Sequence, residues 1–328
     1  MILAGDIGGT KTLLALFEKG ESGLGRIVLK SYASRDFATF AEVVHAFILE
    51  TAPQRIEAAC FGIAGPVIEG RCHTTNLAWD VTTEALQRQL GTDRVRFLND
   101  LEATAYGMLY LPEEDFFDLN PDGCPKAGNR AVIAAGTGLG EAILFYDGQG
   151  YHPSASEGGH CDFAPLTAQQ DRLLKWMRSR YRGHVSYERF LSGPGITVLY
   201  DYLRESGFSP EPLYMQELAE DADKSAMVSH CAIEYRDPLC TEALRLFVEI
   251  YGQEAGNLAL KALSLGGLYI GGGIAPKILS FMKEGAFMEA FVAKGRFASM
   301  LGEMPVRVST NPETALLGAA HYAADRLL

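Results

Sequence analysis

Short apolar runs alternate with amphipathic stretches along the first hundred residues, a pattern typical of an α/β domain. Runs of consecutive apolar residues predict strands, and apolar positions spaced by three or four predict helices. The predicted strands are residues 2–4, 13–17, 26–31, 58–63 and 95–98, and the predicted helices are residues 40–50 and 82–90. Thr82 and Thr83 suit the N-cap of the second helix.

A turn-rich stretch at residues 119–129 separates this region from a second strand-turn-strand pattern that starts at Arg130. The later region is more helical. Its predicted strands are residues 131–135, 142–146, 268–270 and 306–308, and its predicted helices are residues 168–180, 195–205, 238–263, 276–282 and a last helix from Pro312 onward. We therefore predict two α/β units with a hinge near residues 110–112.

Two glycine turns stand out because each lies between two apolar runs. The first is Asp6-Ile7-Gly8-Gly9-Thr10-Lys11-Thr12, and the second is Gly136-Thr137-Gly138-Leu139-Gly140. Glycine adopts positive φ and has no Cβ, so such a turn lets backbone N–H groups approach a phosphate, while the threonine adds a hydroxyl donor. The repeated turn predicts a duplicated phosphate clamp.

Two better-known glycine motifs fit these turns less well. A P-loop needs a glycine at the position of Thr10 and a helix after it, but residues 13–17 resemble a buried strand. A dinucleotide fingerprint needs a glycine at the position of Glu141, which is also followed by a strand-like run. We therefore reject both motifs.

Composition limits the possible partners. The chain of 328 residues is 48% hydrophobic, which is enough to bury a large core, and its formal charge is −12. This acidic balance argues against a nucleic-acid or anionic-membrane partner. Neither a signal-peptide pattern nor an apolar stretch of about 20 residues is present, so we expect a cytoplasmic protein. The six cysteines contain no C-x-x-C pair, so we expect reduced thiols.

Polar residues occur in two further settings that suit a binding site. Asn99-Asp100 follows a predicted strand and precedes a predicted helix, which puts a carboxylate where open α/β sheets build sites, although Asp is also a good helix N-cap. In Ser156-Glu157-Gly158-Gly159-His160, Glu157 and His160 could hydrogen-bond a polyhydroxyl ligand, and Glu188 could add another acceptor.

Together these segments resemble the bacterial glucokinase family, the ATP-dependent hexokinases of the actin-like, sugar kinase and Hsp70 superfamily. The resemblance covers essentially the whole chain. The segments that carry it are Leu98-Asn99-Asp100, Glu157-Gly158-Gly159-His160, Leu191-Ser192-Gly193-Pro194-Gly195, Gly271-Gly272-Gly273 and the two glycine turns. It implies an α/β, two-domain actin-like ATPase (ribonuclease H-like) fold with a cleft between a smaller N-terminal domain, residues 1–110 plus 312–328, and a larger C-terminal domain, residues 111–311.

The resemblance also implies an activity, the phosphorylation of glucose at its 6-hydroxyl by Mg-ATP, with Asp100 as the general base. The implied glucose-binding residues are Asn99, Asp100, Glu157, His160 and Glu188. The implied ATP-binding residues are Asp6, Gly8, Gly9, Thr10, Lys11, Gly136, Thr137, Gly138, Gly140, Gly271, Gly272 and Gly273. Asp6 would also hold Mg²⁺ through water.

The chain departs from the family pattern at two points. Lys11 stands where many of these enzymes carry Asn, so it either contacts phosphate or lies exposed on the turn. Related repressor-type kinases carry a cysteine-rich zinc motif after the Gly-Gly-His segment, whereas only Cys161 stands here, so we expect no structural zinc. The helices after residue 236 are candidates for a homodimer interface.

Three other functions stay open on the sequence alone. The polar side chains suit a hydroxylated hexose without distinguishing glucose from mannose, glucosamine or an N-acetylated sugar. A noncatalytic sugar sensor would lack the base and often carries a DNA-binding helix-turn-helix. An actin-like ATPase would hydrolyse ATP without sugar and would lack the cluster of Glu157, His160 and Glu188.

Overall fold

The computed structural model describes residues 1–21, 23–74, 77–219 and 221–328. The chain divides into two compact units. Unit 1 consists of Met1–Phe116, Ala142–Ala155 and Asn311–Leu328, and unit 2 consists of Phe117–Glu141 and Ser156–Thr310.

The strands follow the chain in order. They are β1 Ile2–Ile7, β2 Lys11–Gly20, β3 Gly23–Ala33, β4 Ala58–Ile63, β5 Arg71–His73, β6 Asp80–Thr82, β7 Val95–Asn99, β8 Phe116–Asp118, β9 Arg130–Ala135, β10 Leu139–Tyr146, β11 Tyr151–Ser156, β12 Leu268–Gly271 and β13 Val306–Ser309. The helices are α1 Phe40–Thr51, α2 Thr83–Leu90, α3 Asp100–Gly107, α4 Ala168–Arg180, α5 Gly193–Glu205, α6 Leu213–Gln216, α7 Lys224–His230, α8 Pro238–Ala262, α9 Leu279–Met282, α10 Ala286–Val292, α11 Ala298–Gly302 and α12 Thr314–Arg326.

Unit 1 is built on a five-stranded sheet in the order β3-β2-β1-β4-β7. Strand β1 pairs antiparallel with β2 and parallel with β4, and β4 pairs parallel with β7. Successive side chains of a strand point to opposite faces, so each buried strand supplies two cores. Leu3 and Ile7 belong to the core that includes residues of α1, whereas Ile2 and Ala4 belong to the core that includes residues of α12. The sheet is therefore covered on both faces.

Helix α12 packs closely against α3 because glycine stands where the two helices meet. A Cβ added to Gly318 would overlap the carbonyl oxygen of Ala103, and one added to Gly107 would overlap the carbonyl oxygen of Thr314. The buried alanines of α12 then lie in the second core of the sheet, with Leu98. The helix predicted after Pro312 thus packs on the N-terminal sheet. Its amphipathic pattern alone does not indicate which unit it covers.

Unit 2 contains parallel strands and a long buried helix. Strand β12 pairs in parallel with β9 and with β13. Helix α8 has 25 residues, and most of its middle is buried. The phenol oxygen of Tyr251 in α8 accepts a hydrogen bond from the backbone N–H of Ala135 at 3.1 Å. This contact joins the centre of α8 to the carboxyl end of β9.

Most of the predicted elements are confirmed, with bounds that differ by a few residues. The helix predicted at 168–180 coincides with α4, and Thr82 caps α2 by accepting from the backbone N–H of Ala85. The helix predicted at 276–282 is a single turn, α9. The strands β5, β6, β8 and β11 and the helices α6, α7, α10 and α11 were not predicted. Among the described residues, no helix has the length and apolar character needed to cross a bilayer.

Replacing Gly318 should destabilise unit 1. In Gly318→Ala the added methyl group would overlap the Ala103 carbonyl oxygen, and overpacking of this kind costs about 1–3 kcal/mol. The matched control is Gly302→Ala at the end of α11, because an added Cβ there meets no atom within 4 Å. The midpoint of urea unfolding measures the difference. Equal midpoints for the two variants would contradict the proposed packing.

Candidate active site

The first glycine turn connects β1 and β2 within a single tight reversal. The backbone N–H of Gly8 donates to the carbonyl oxygen of Lys11 at 3.0 Å, and a Cβ added to Gly8 would lie 2.9 Å from that oxygen. Thr10 and Lys11 are exposed at the tip of the turn. The strand-turn-strand interpretation is confirmed, since β2 follows the turn directly where a P-loop would have a helix.

Ser34, just after β3, holds the first glycine turn from behind. Its hydroxyl donates to the carbonyl oxygen of Gly8 at 2.7 Å, and its backbone N–H donates to the carbonyl oxygen of Thr10 at 3.0 Å. The same hydroxyl lies 2.9 Å from Oγ1 of Thr12. Ser34 and Thr12 are both fully buried. Sequence reasoning missed Ser34, because nothing in its local pattern connects it to a turn 26 residues earlier.

Asp6 occupies the carboxyl end of β1, directly before the turn. Its pairing partners are Leu13 on β2 and Gly62 on β4. Burial raises the pKa of the Asp6 carboxyl group to about 6, and the positive charge of Lys11 opposes that rise. Lys11 therefore acts electrostatically on Asp6 in addition to standing exposed on the turn.

Asn99 and Asp100 have different roles at the start of α3. Asn99 is the N-cap, and its Oδ1 accepts from the backbone N–H of Leu101 at 2.9 Å. Its own N–H donates to Oε2 of Glu102 at 2.9 Å, which completes a capping box. Asp100 is the first helical residue, and its Oδ1 also lies 2.9 Å from the Leu101 nitrogen. The sequence suggested Asp100 as the N-cap of this helix, but the N-cap is Asn99.

Unit 1 brings Asp6, Asn99 and Asp100 to one edge of its sheet. Asp6 is in register with Gly62, and Gly62 is in register with Leu98, the residue before Asn99. Neighbouring strands lie about 4.8 Å apart, so Asp6 and the start of α3 are separated by roughly 10 Å of sheet. A Cβ added to Gly62 would lie 2.9 Å from the Cβ of Ala103, so glycine lets α3 lie close to the strand.

The second glycine turn, in unit 2, is held by backbone contacts. The N–H of Gly136 donates to the carbonyl oxygen of Gly138 at 2.8 Å, and the N–H of Gly193 donates to the carbonyl oxygen of Gly136 at 2.8 Å. Gly193 opens helix α5, so the Leu-Ser-Gly-Pro-Gly segment supports this turn directly. The flanking strands β9 and β10 confirm the strand-turn-strand interpretation.

Gly271-Gly272-Gly273 adjoins the second glycine turn. Gly271 is in register with Ala134, so the glycine run begins beside the end of β9. Gly272 has φ +81°, and a Cβ added there would overlap the carbonyl oxygen of Ala135. Positive φ and the absent side chain together allow the two glycine segments to lie side by side.

Glu157, His160 and Glu188 form one cluster in unit 2. Nε2 of His160 lies 3.9 Å from Oε2 of Glu157, and Nδ1 of His160 lies 3.9 Å from Oε1 of Glu188. The side chains of Glu157 and His160 are 67% and 55% exposed, so both are accessible to a ligand. His184, which the sequence did not single out, places its Nε2 2.8 Å from the carbonyl oxygen of His160.

Glu188 connects this polar cluster to the second glycine turn. Its Oε2 accepts from the backbone N–H of Leu139 at 3.0 Å. A Cβ added to Gly138 would lie 2.5 Å from the same oxygen, so the turn depends on glycine here. Unit 2 thus joins a carboxylate-imidazole cluster to a backbone turn of the kind that binds phosphate. The cluster can accept hydrogen bonds from hydroxyl groups, and the turn can donate to an anion.

Comparison with known proteins gives a consistent result. The glucokinase family model matches residues 3–326. The curated glucokinase of Nostoc punctiforme is 41% identical and covers 99% of this chain and 99% of its own length. The curated glucokinase of Synechocystis sp. is also 41% identical and covers 98% of each chain.

Solved structures agree with the sequence comparisons. A glucokinase from an Antarctic psychrotroph superposes with a TM-score of 0.86 at 30% identity, covering 99% of this chain and 98% of the other. A Streptomyces griseus ROK family glucokinase, crystallised with glucose and AMPPNP, has a TM-score of 0.67 at 18% identity and covers 98% of this chain and 99% of its own. At that identity the second likeness shows the fold alone.

Removing the Ser34 hydroxyl should loosen the first glycine turn. Ser34→Ala loses the bond to the Gly8 carbonyl oxygen, and a lost hydrogen bond of this kind corresponds to up to about a tenfold change in affinity. We expect weaker binding of Mg-ATP by calorimetry and unchanged binding of glucose. Ser31→Ala, at an exposed position on β3, is the control. Unchanged nucleotide affinity in Ser34→Ala would show that the turn does not need this support.

Proposed function

The chain belongs to the glucokinase family, and from this we infer that it is an ATP-dependent glucokinase, which transfers the γ-phosphoryl group of ATP to glucose and releases glucose 6-phosphate and ADP. The structural observation that best supports this activity is the cluster of Glu157, His160 and Glu188, in which Glu188 accepts a hydrogen bond from the second glycine turn. A sugar-binding cluster next to a phosphate-binding turn is what a sugar kinase requires.

Asp100 is the proposed general base. It accepts the proton of the sugar 6-hydroxyl while that oxygen attacks the γ-phosphorus and the bond to the β–γ bridging oxygen breaks. Its position is fixed by the start of α3, where Oδ1 accepts from the Leu101 N–H and the main-chain oxygen accepts from the Thr104 hydroxyl at 2.8 Å. A base held this firmly reduces the loss of orientational freedom in the transition state.

Asn99, Glu157, His160 and Glu188 are the proposed partners of the remaining sugar hydroxyls, together with Asp100. Asn99 is itself tied down, because its side-chain nitrogen donates to the carbonyl oxygen of Gly65 at 3.2 Å. Charged and amide groups placed around a hydroxyl reject a substrate that lacks it, since the site then keeps unpaired polar groups. This physical rule supports selection among sugars at the level of single hydroxyl groups.

The two glycine turns are the proposed phosphate-binding elements. Gly8, Gly9, Thr10 and Lys11 would act from the first turn, and Gly136, Thr137, Gly138 and Gly140 from the second. Gly271, Gly272 and Gly273 would border the adenosine. Hydrogen bonds within both turns fix the backbone, so the remaining N–H groups would stabilise developing phosphoryl charge without having to reorganise during the reaction.

The reaction also implies Mg²⁺, and the chemistry of Asp6 fits this ion. Mg²⁺ prefers carboxylate oxygens and keeps several of its water ligands. The burial that raises the Asp6 pKa disfavours its anionic form, and a bound cation would compensate for that cost. We therefore assign Asp6 to Mg²⁺, held through water, and when bound the ion would neutralise charge on the ATP phosphates.

We further propose that the smaller domain comprises residues 1–110 plus 312–328 and the larger domain residues 111–311. We propose as well that the protein is a homodimer that uses helices after residue 236 and that it is cytoplasmic. We also propose that the chain bends near residues 110–112 and 309–312 when substrates bind, because the γ-phosphoryl group must be kept from water.

The first prediction from this function concerns the acceptor. We expect release of ADP from Mg-ATP to depend on glucose and to be much slower with mannose, fructose, glucosamine, N-acetylglucosamine or no sugar. A coupled ADP assay with the purified protein measures this. Faster turnover with another sugar would identify that sugar as the substrate and leave the phosphoryl-transfer mechanism unchanged. Equal ADP release without sugar would indicate an ATPase.

The second prediction concerns the base. Asp100→Asn should lower kcat by about a hundredfold or more and leave the glucose Kd within a few-fold of wild type, since proton transfer is lost while a hydrogen-bonding side chain stays. The control is Asp93→Asn, an exposed position before β7. Near-normal turnover in Asp100→Asn would exclude it as the base.

A further inference from the structure

A pair of buried acidic side chains lies in unit 2 beneath residues 156–160, which we call loop 156–160. Glu141 is 1% exposed and Glu254 is fully buried. Glu254 has cationic and amide partners, because its carboxylate accepts from Nδ2 of Asn257 at 2.8 Å and from Nζ of Lys261 at 3.2 Å. Oε1 of Glu141 has no hydrogen-bond partner among the described residues. The two acids therefore differ in how their charge is compensated.

Glu141 lies directly against loop 156–160. A Cβ added to Gly158 would overlap Oε2 of Glu141 and would lie 3.1 Å from Oγ of Ser156. That serine oxygen accepts from the N–H of Gly158 at 3.0 Å. A Cβ added to Gly159 would overlap the carbonyl oxygen of Leu139, two residues before Glu141. The backbone between Glu157 and His160 thus rests on the first residues of β10.

We propose that Glu141 is a positioning residue, whose buried carboxyl group supports the backbone of Gly158 and thereby sets the orientation of Glu157 and His160 toward the sugar. The inference rests on the proposed function, because it assigns Glu157 and His160 to sugar hydroxyls. Sequence reasoning used Glu141 only to reject a dinucleotide motif. Its role becomes visible once the fold places it under loop 156–160.

The charge state of Glu141 follows from its surroundings. Burial, and then the negative charge of Glu254, raise its pKa to about 8, and Lys261 opposes the rise. The other ionisable groups that interact with Glu141, Glu254 or Lys261 are Tyr251 of α8, Tyr187 after α4, Lys294 after α10 and Cys161. With its pKa raised in this way, Glu141 keeps its proton at neutral pH.

The raised pKa has a definite consequence for stability. The folded protein holds the Glu141 proton more tightly than the unfolded chain, whose ordinary value is 4.5. The contribution to stability is therefore fully present below the unfolded pKa, and it is lost as pH rises through about 8. Above that pH, the ionised Glu141 would be repelled by Glu254, and the carboxylate would no longer be held in place against Gly158.

Three variants separate positioning from simple loss of stability. Glu141→Ala removes the support, Glu141→Gln keeps its shape in a permanently neutral form, and Leu144→Ala truncates another buried residue of β10. We expect Glu141→Ala to raise the glucose KM by about fivefold or more, with the ATP KM changed by less than about twofold. Glu141→Gln should restore the glucose KM at neutral pH. Leu144→Ala should lower the unfolding midpoint without a selective change in the glucose KM.

A pH series provides a second readout that a purely structural role would not produce. Between about pH 7 and pH 9 the wild-type glucose KM should rise relative to that of Glu141→Gln, because only the wild type acquires the second buried charge. Parallel pH profiles for these two proteins would overturn the proposal, and so would a proportional rise of both KM values in Glu141→Ala. Wild-type protein without sugar-dependent ADP release would instead overturn the proposed function, so the two failures are distinguishable.

Discussion

Close approach of backbone to backbone is the constraint on which the candidate site depends. At Gly8, Gly159 and Gly272 an added Cβ would come too close to a carbonyl oxygen, and at Gly138 and Gly158 it would meet a carboxylate. A Cβ is excluded from these positions because a carbonyl or carboxylate oxygen already occupies the space. Donors held in this way are already oriented before a ligand arrives, which is the condition for strong electrostatic stabilisation of a transferring phosphoryl group.

Each glycine turn is held in shape by a side chain from outside the turn. Ser34 holds the first turn through the carbonyl oxygens of Gly8 and Thr10, and Glu188 holds the second through the N–H of Leu139. Glu188 also contacts His160, so one carboxylate participates in both the polar cluster and the backbone turn. On the proposed assignments, a substitution at Glu188 would therefore affect the binding of both glucose and ATP, whereas Ser34 contacts a single turn.

The sequence predicted the elements that have strong local patterns and missed those defined by contacts distant in the chain. Helix α4 and the strands around both glycine turns follow from periodicity and composition. Strands β5 and β6 have three residues each, which is too short for an alternating pattern to be recognised. Asn99 and Asp100 are equally suitable caps by composition, so only the backbone geometry separates their roles. Ser34 and Glu141 act on residues that are distant in sequence, and no local signal marks them.

The packing of α12 on the sheet of unit 1 affects how the chain can fold during its synthesis. Strands β1, β4 and β7 leave the ribosome early, yet the apolar face formed by Ile2, Ala4 and Cys60 is covered by residues that follow all of unit 2. A nascent N-terminal sheet therefore exposes one apolar face until residues 314–326 have been translated. All of unit 2 is translated before α12, so unit 2 can fold before unit 1 is complete. The exposed apolar face of unit 1 therefore needs protection by chaperones mainly during elongation.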